Sequence, residues 1–282
     1  YTEILTNSIT NSAYFSEEVL AGAVKMLNNL SADLDVMRPS MLETGLETIA
    51  YNLNRQLSSI ALFEIGKVYG QSSKGAYYEA EQLSIYLSGK QQQDGWRTKG
   101  ILSDFFVAKG AATAIFNLLG IQGGEWKQTS ANQIDYVISK KTTGTVQAIG
   151  TKKLQSFGIK QPVFYIQFDL ANLFTIYQSK QVVYREISKY PSVERDLALV
   201  IPQDTKYEAI EACVTEAKLD ALKESRVFDI FESDKLGAQK KSVAINFVFN
   251  TPDKTLTDTE IDTMMKKLVQ LFEKNLTAEV RK

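Results

Sequence analysis

A chain of 282 residues with 44% hydrophobic content is long enough to bury one large core or two medium ones, and its 32 basic against 33 acidic side chains single out neither nucleic acid nor an anionic surface as a partner. It has no histidine and one cysteine, Cys213, which removes serine–histidine and cysteine–histidine nucleophiles, histidine metal sites, zinc tetrads and any internal disulfide. Without an 18-residue apolar run or a secretory signal pattern, a cytoplasmic protein with no membrane partner is expected.

The opening YTEILTNSIT has strand character, so the chain is expected to be part of a longer protein. Ser16 is positioned to cap a helix whose first turn holds Glu17 and Glu18, with Val19, Leu20, Ala23, Val24 and Leu27 at helical spacing, ending near Asn28. Leu42, Leu46, Ile49, Ala50 and Leu53 share a face of a second helix, and IALFEIGKVY then reads as a strand stopped by Gly70 and the polar QSSKG. After the strand LSIYLSG, residues 99–119 predict a long helix with Ile101, Leu102, Phe105, Phe106, Ala112, Ile115, Phe116 and Leu119 inward and Gly120 as its stop. Short strands follow at IDYVIS, GTVQAIG and PVFYIQFDL, so residues 1–184 are expected to form an α+β domain on an antiparallel sheet. Residues 185–190 are the expected linker.

Residues 191–282 give a more regular pattern. VERDLALVI is a strand with Leu197, Leu199 and Ile201 on one face and Asp196, Ala198 and Val200 on the other, and a helix follows over about 206–218. In SRVFDIF, strict alternation puts Phe228 and Ile230 inward and Val227, Asp229 and Phe231 outward. KSVAINFVF buries Val243, Ile245, Phe247 and Phe249 and turns out Ser242, Ala244, Asn246 and Val248. Thr257 and Glu260 form a capping-box pattern ahead of Ile261, Met264, Met265, Leu268 and Leu271, and TAEVR closes the chain as a strand. This βαββαβ order implies a ferredoxin-like domain with both helices on one side of its sheet and the other side open.

On that open side, Phe231 could stack a flat ring while Asp229 and Ser242 hydrogen-bond its edge above the small Ala198 and Ala244. Single-stranded RNA bases are read this way, and an exposed aromatic on an edge hairpin equally suits a protein interface. Lys235, Lys240 and Lys241 in the following loop suit phosphate contacts, although loop lysines are commonly just solvated. From Tyr190 onward, 14 basic residues face 17 acidic ones, a charge of −3 that gives no broad basic footprint.

YPSVERDLALVI, RVFDIFESDKLGAQKKSVAINFVF, TLTDTEID and the terminal AEVR resemble the anticodon-binding ferredoxin-like domain that closes the β subunit of bacterial phenylalanine-tRNA ligases. LSADLDVMRPSML, YNLNRQ, FEIGKVY and SDFFVAKG resemble, in the same order, the class II synthetase-like core that precedes it. The resemblance covers nearly the whole chain. It implies that Asp229, Phe231 and Ser242 approach the anticodon, with phenylalanine where the family usually has tyrosine. Arg195 also matches a family position, yet it alternates toward the helix side, where an ion pair with a helix carboxylate is the alternative role. The core is implied to be non-catalytic: Gly70 stands where active class II domains carry a phosphate-holding arginine, and PVFYIQFDLANLF lacks their glycine-rich strand and second arginine. The implied partners are tRNA(Phe) and a catalytic α subunit in a two-α, two-β assembly, met through an apolar patch on residues 1–184. ATP and magnesium are implied for the whole enzyme, with no cofactor in this part.

Overall fold

Residues 1–29, 31–179, 184, 186–233, 236–237 and 239–281 are described in a computed structural model of the chain. Lys235 lies outside the described residues. The chain divides into two units, Tyr1–Gln181 and Val182–Lys282.

In the first unit, strands β1 (Thr2–Glu3), β2 (Ile9–Thr10) and β3 (Val36–Met37) frame the short helix α1 (Glu17–Leu20). Helix α2 (Leu42–Leu53) leads into the hairpin β4 (Ile60–Gln71) and β5 (Tyr77–Ser88), followed by α3 (Phe105–Leu118). Next come β6 (Glu125–Ser130), β7 (Gln133–Ile138), β8 (Lys141–Ala148), α4 (Thr151–Ser156), β9 (Val163–Asp169) and α5 (Leu170–Gln178). Seven of these strands form one sheet in the order β1-β4-β5-β9-β8-β7-β6, while β2 pairs with β3 separately. The sheet is mixed rather than purely antiparallel, because β1 runs parallel to β4.

Both faces of this sheet are covered. Ile85, Phe164, Ile166 and Phe168 join Ala108, Ala112 and Phe116 of α3 and Leu173 of α5 in one core. Their strand neighbours Tyr86, Val163 and Tyr165 point the other way, into a second core with Leu46 and Ile49 of α2 and Leu154 of α4. Two-sided burial is why IALF and PVFYIQF read as nearly continuous apolar runs.

Three expectations for this unit are corrected. The first helix stops at Leu20, and Ser16 caps it without a side-chain hydrogen bond. Beyond it, Val24 and Met26 bond the backbone of residues 35–37 in extended form, and Leu27 is exposed. Pairing with that segment competes with the helical spacing and wins. The third helix begins at Phe105, because the Asp104 side chain accepts a hydrogen bond from the Val107 N–H at 2.7 Å and caps it there. Ile101, Leu102 and Phe106 are therefore exposed instead of inward. Strand β6, EWKQTS, and helices α4 and α5 were not expected: β6 is a mostly exposed polar edge strand with no alternation to betray it.

The second unit contains β10 (Val193–Pro202), α6 (Tyr207–Glu216), β11 (Leu222–Glu232), β12 (Lys240–Phe249), α7 (Asp258–Leu276) and β13 (Glu279–Val280). Its sheet runs β11-β12-β10-β13 with every pair antiparallel, the ferredoxin-like arrangement expected from the sequence. One face carries the core, where Leu197, Leu199, Ile201, Val243, Ile245, Phe247 and Phe249 meet Ile210 and Cys213 of α6 and Ile261, Leu268 and Phe272 of α7. Thr257 and Glu260 do form the capping box that starts α7.

Candidate nucleic-acid interface

Strand register decides which side chains share the helix-free face of the second unit. Phe231 lies opposite Ser242, which lies opposite Val200, which lies opposite Glu279. One step along, Asp229 lies opposite Ala244 and Ala244 opposite Ala198. Paired residues point to the same side of an antiparallel sheet, so Asp229, Phe231 and Ser242 are brought together, over a floor of two methyl groups. Phe231 is 46% exposed, whereas Ser242 is only 4% exposed and sits sunk between Phe231 and Val200. Asp229 is exposed and makes no hydrogen bond or ion pair among the described residues, which leaves its carboxylate free to accept.

The face depends on an irregularity that strict alternation missed. Val227 pairs with Ile245 and packs on the core, then Asp229 pairs with Ala244, so Phe228 is an extra, unpaired residue. The β-bulge resets the phase between Val227 and Asp229. Val227 is consequently inward and Phe228 is 55% exposed, the reverse of expectation, while Ile230, opposite Val243, lies exposed near the sheet edge. Without the bulge, an inward Val227 and an outward Asp229 would be incompatible with the intervening residue.

The basic residues divide between the two faces. Lys240 shares the open face and its Nζ lies 2.7 Å from Glu279 Oε1. Lys241 is on the helix side, donating to the Thr205 carbonyl at 2.8 Å. Arg195, opposite Phe247, is on the helix side too, and its Nη2 lies 2.6 Å from Asp258 Oδ1 in the first turn of α7. The structure therefore brings Arg195 and Lys241 away from the Asp229–Phe231–Ser242 group.

One side chain on the open face was missed. Arg281 follows β13, its N–H donates to the Ala198 carbonyl at 2.8 Å, and its guanidinium lies over the Phe231 ring, 5.8 Å from the centroid. Alternation from Glu279 could have placed it there. Among the described residues, no group of three or more His, Cys, Asp or Glu side chains is placed to hold a metal ion, and no helix is long and apolar enough to cross a membrane.

Residues 1–170 match the family described as the phenylalanyl tRNA synthetase beta chain CLM domain, and residues 188–281 match the ferredoxin-fold anticodon binding domain. The chain is 33% identical over 303 residues to the phenylalanine–tRNA ligase beta subunit of Bacteroides fragilis, covering 100% of this chain and 36% of that protein. The corresponding subunits of Bacteroides thetaiotaomicron and Streptococcus pneumoniae serotype 4 are 32% and 30% identical, covering 100% and 99% of this chain and 36% of each relative. The chain thus spans about a third of the length of the curated relatives it matches. Among solved structures, Desulfitobacterium hafniense PylSc, a pyrrolysyl tRNA synthetase, aligns with a TM-score of 0.49 at 18% identity over 67% of this chain and 68% of that one, a likeness that carries no argument. With a family model over each unit and relatives along its whole length, the chain belongs to the phenylalanine–tRNA ligase β subunit family.

Proposed function

We propose that the second unit binds the anticodon region of tRNA(Phe) on its open sheet face, and that the first unit is a non-catalytic scaffold for the α subunit of a two-α, two-β phenylalanine–tRNA ligase in the cytoplasm. The observation that carries the RNA reading is the convergence of Asp229, Phe231 and Ser242 on one helix-free face, aromatic beside unpaired carboxylate. Phe231 supplies a stacking surface that any base can use, and Asp229 accepts hydrogen bonds from a base edge. Lys240 adds a cation at the rim, whereas Arg195 and Lys241 act on the helix side. A unit with charge −3 is suited to reading a base and poorly suited to capturing an RNA backbone unaided.

In the first unit, ATP and magnesium chemistry does not fit the residues present. A Cβ at Gly70 would meet the Tyr78 hydroxyl at 2.4 Å, so the position that would need an arginine is filled by a neighbouring ring. Those cofactors belong in this reading to the whole enzyme. For the α subunit contact, α3 turns Phe106, Gly110, Ala114 and Leu118 outward at near four-residue spacing, with Phe106 79% exposed. Phe106→Asp should shift the assembled enzyme toward free subunits in analytical ultracentrifugation, and unchanged assembly would remove this face from the contact.

Chemical footprinting of tRNA(Phe) on the assembled enzyme tests the RNA reading. Anticodon bases should be protected by the wild type and reactive with Phe231→Ala. Anticodon bases equally reactive in both would leave the second unit as a protein-interaction module.

A further inference from the structure

We infer that Arg281 completes the open face, its guanidinium and the Phe231 ring forming a slot for one unpaired RNA base. The inference rests on the RNA reading above.

Four observations converge on it. Arg281 and Asp229 stand at opposite ends of one row across the sheet, with Ala198 and Ala244 between them. Only two methyl groups fill the middle of that row, so nothing bulky blocks a planar group lying across the strands. The Arg281 guanidinium reaches back over this floor to the Phe231 ring, at 5.8 Å. Finally, Lys240 on the same face is paired with Glu279, whereas Arg281 makes no ion pair among the described residues.

At 5.8 Å the pair is at the outer edge of a cation–π contact. A base inserted between two flat groups needs about 3.5 to 4 Å on each side, so the guanidinium has to withdraw by roughly 1–2 Å. An exposed arginine without hydrogen-bonded partners for its guanidinium moves that far at little cost. The base would gain an aromatic face below, a planar cation above and the Asp229 carboxylate at its edge. Arginine suits this place better than lysine, because a guanidinium is flat, weakly hydrated and stacks on rings. It also puts one positive charge next to RNA in a unit whose net charge is negative.

The test uses the assembled ligase containing this chain, with tRNA(Phe) as the probe. Arg281→Ala should raise the KM for tRNA about tenfold while phenylalanine-dependent pyrophosphate exchange and the thermal midpoint stay at wild-type values. Arg281→Lys should recover less than half of the loss on a logarithmic scale, since it restores charge without the plane. The double variant with Phe231→Ala should bind within about twofold of Phe231→Ala alone, because a slot with one wall gone has little left to lose. A KM that is unchanged or lowered in Arg281→Ala, with Phe231→Ala impaired, would overturn the role of Arg281 and leave the RNA reading standing. Losses that multiply in the double variant would overturn the shared slot. Unchanged tRNA kinetics in both single variants would strike the RNA reading itself.

Discussion

Asp229 lies directly opposite Ala244 on the neighbouring strand, although the last core-facing residue before it, Val227, is two positions away and pairs with Ile245. The bulge at Phe228 is what allows β11 to pack a valine on the helices and still present a carboxylate on the open face. Val227→Ala should therefore lower stability by about 1–2 kcal/mol through lost core burial. Phe228→Ala, which removes a larger but exposed side chain, should stay within about 0.5 kcal/mol of wild type. Thermal unfolding of the two variants checks the phase of the strand. The reverse ranking would restore strict alternation.

The first unit contains an ion pair that is almost fully buried. Arg38 Nη1 lies 3.0 Å from Glu64 Oε1 and 2.7 Å from Thr6 Oγ1, and Arg38 Nε donates to the Lys67 carbonyl at 2.8 Å. Gly66 makes room for it, since a Cβ there would come within 2.2 Å of Arg38 Nη2. Removing one member leaves the other charged and unpaired in the interior, so Arg38→Met should cost about 3–5 kcal/mol. The double variant Arg38→Met, Glu64→Leu should recover part of that loss. Denaturant unfolding of single and double variants measures both.

The start of α7 ties stability to pH. Thr257 Oγ1 accepts from the Glu260 N–H at 3.4 Å, the Glu260 carboxylate accepts from the Thr257 N–H at 3.0 Å, and Lys254 bonds the same carboxylate. Lys254 first, then the Thr257 groups, hold Glu260 at about 2, below its usual 4.5. Its folded value is depressed, so its contribution is present above pH 4.5 and fades as the pH falls toward 2. Thr257→Ala should cost about 1 kcal/mol near neutral pH. Glu260→Gln should flatten the fall in thermal midpoint between pH 5 and pH 2.5; an unchanged slope would remove Glu260 from this role.

Much of the second unit was legible from residue order because one face of its sheet is buried and the other open, which enforces alternation on β10 and β12. Asp229, Phe231 and Ser242 could be grouped for the same reason, and the helix-side position of Arg195 followed from its place next to Leu197 in the period. The bulge was not legible. A single unpaired Phe228 looks like any inward aromatic until the register with β12 is known. Arg281 escaped notice because β13 is only two residues long and its side chain acts across the sheet. In the first unit, residues 17–28 carried helical spacing, but backbone pairing with residues 35–37 overrode it. That contact is not encoded locally.

The central claim, that Phe231 stacks a base of the anticodon, is tested most directly by Phe231→Ala in the assembled enzyme, with tRNA-dependent aminoacylation and tRNA-independent pyrophosphate exchange measured on the same preparation. Losing one stacked base should lower kcat/KM for tRNA(Phe) by about 1–3 kcal/mol, on the order of 5- to 150-fold, and leave pyrophosphate exchange at the wild-type rate. Wild-type tRNA kinetics in that variant would contradict the account.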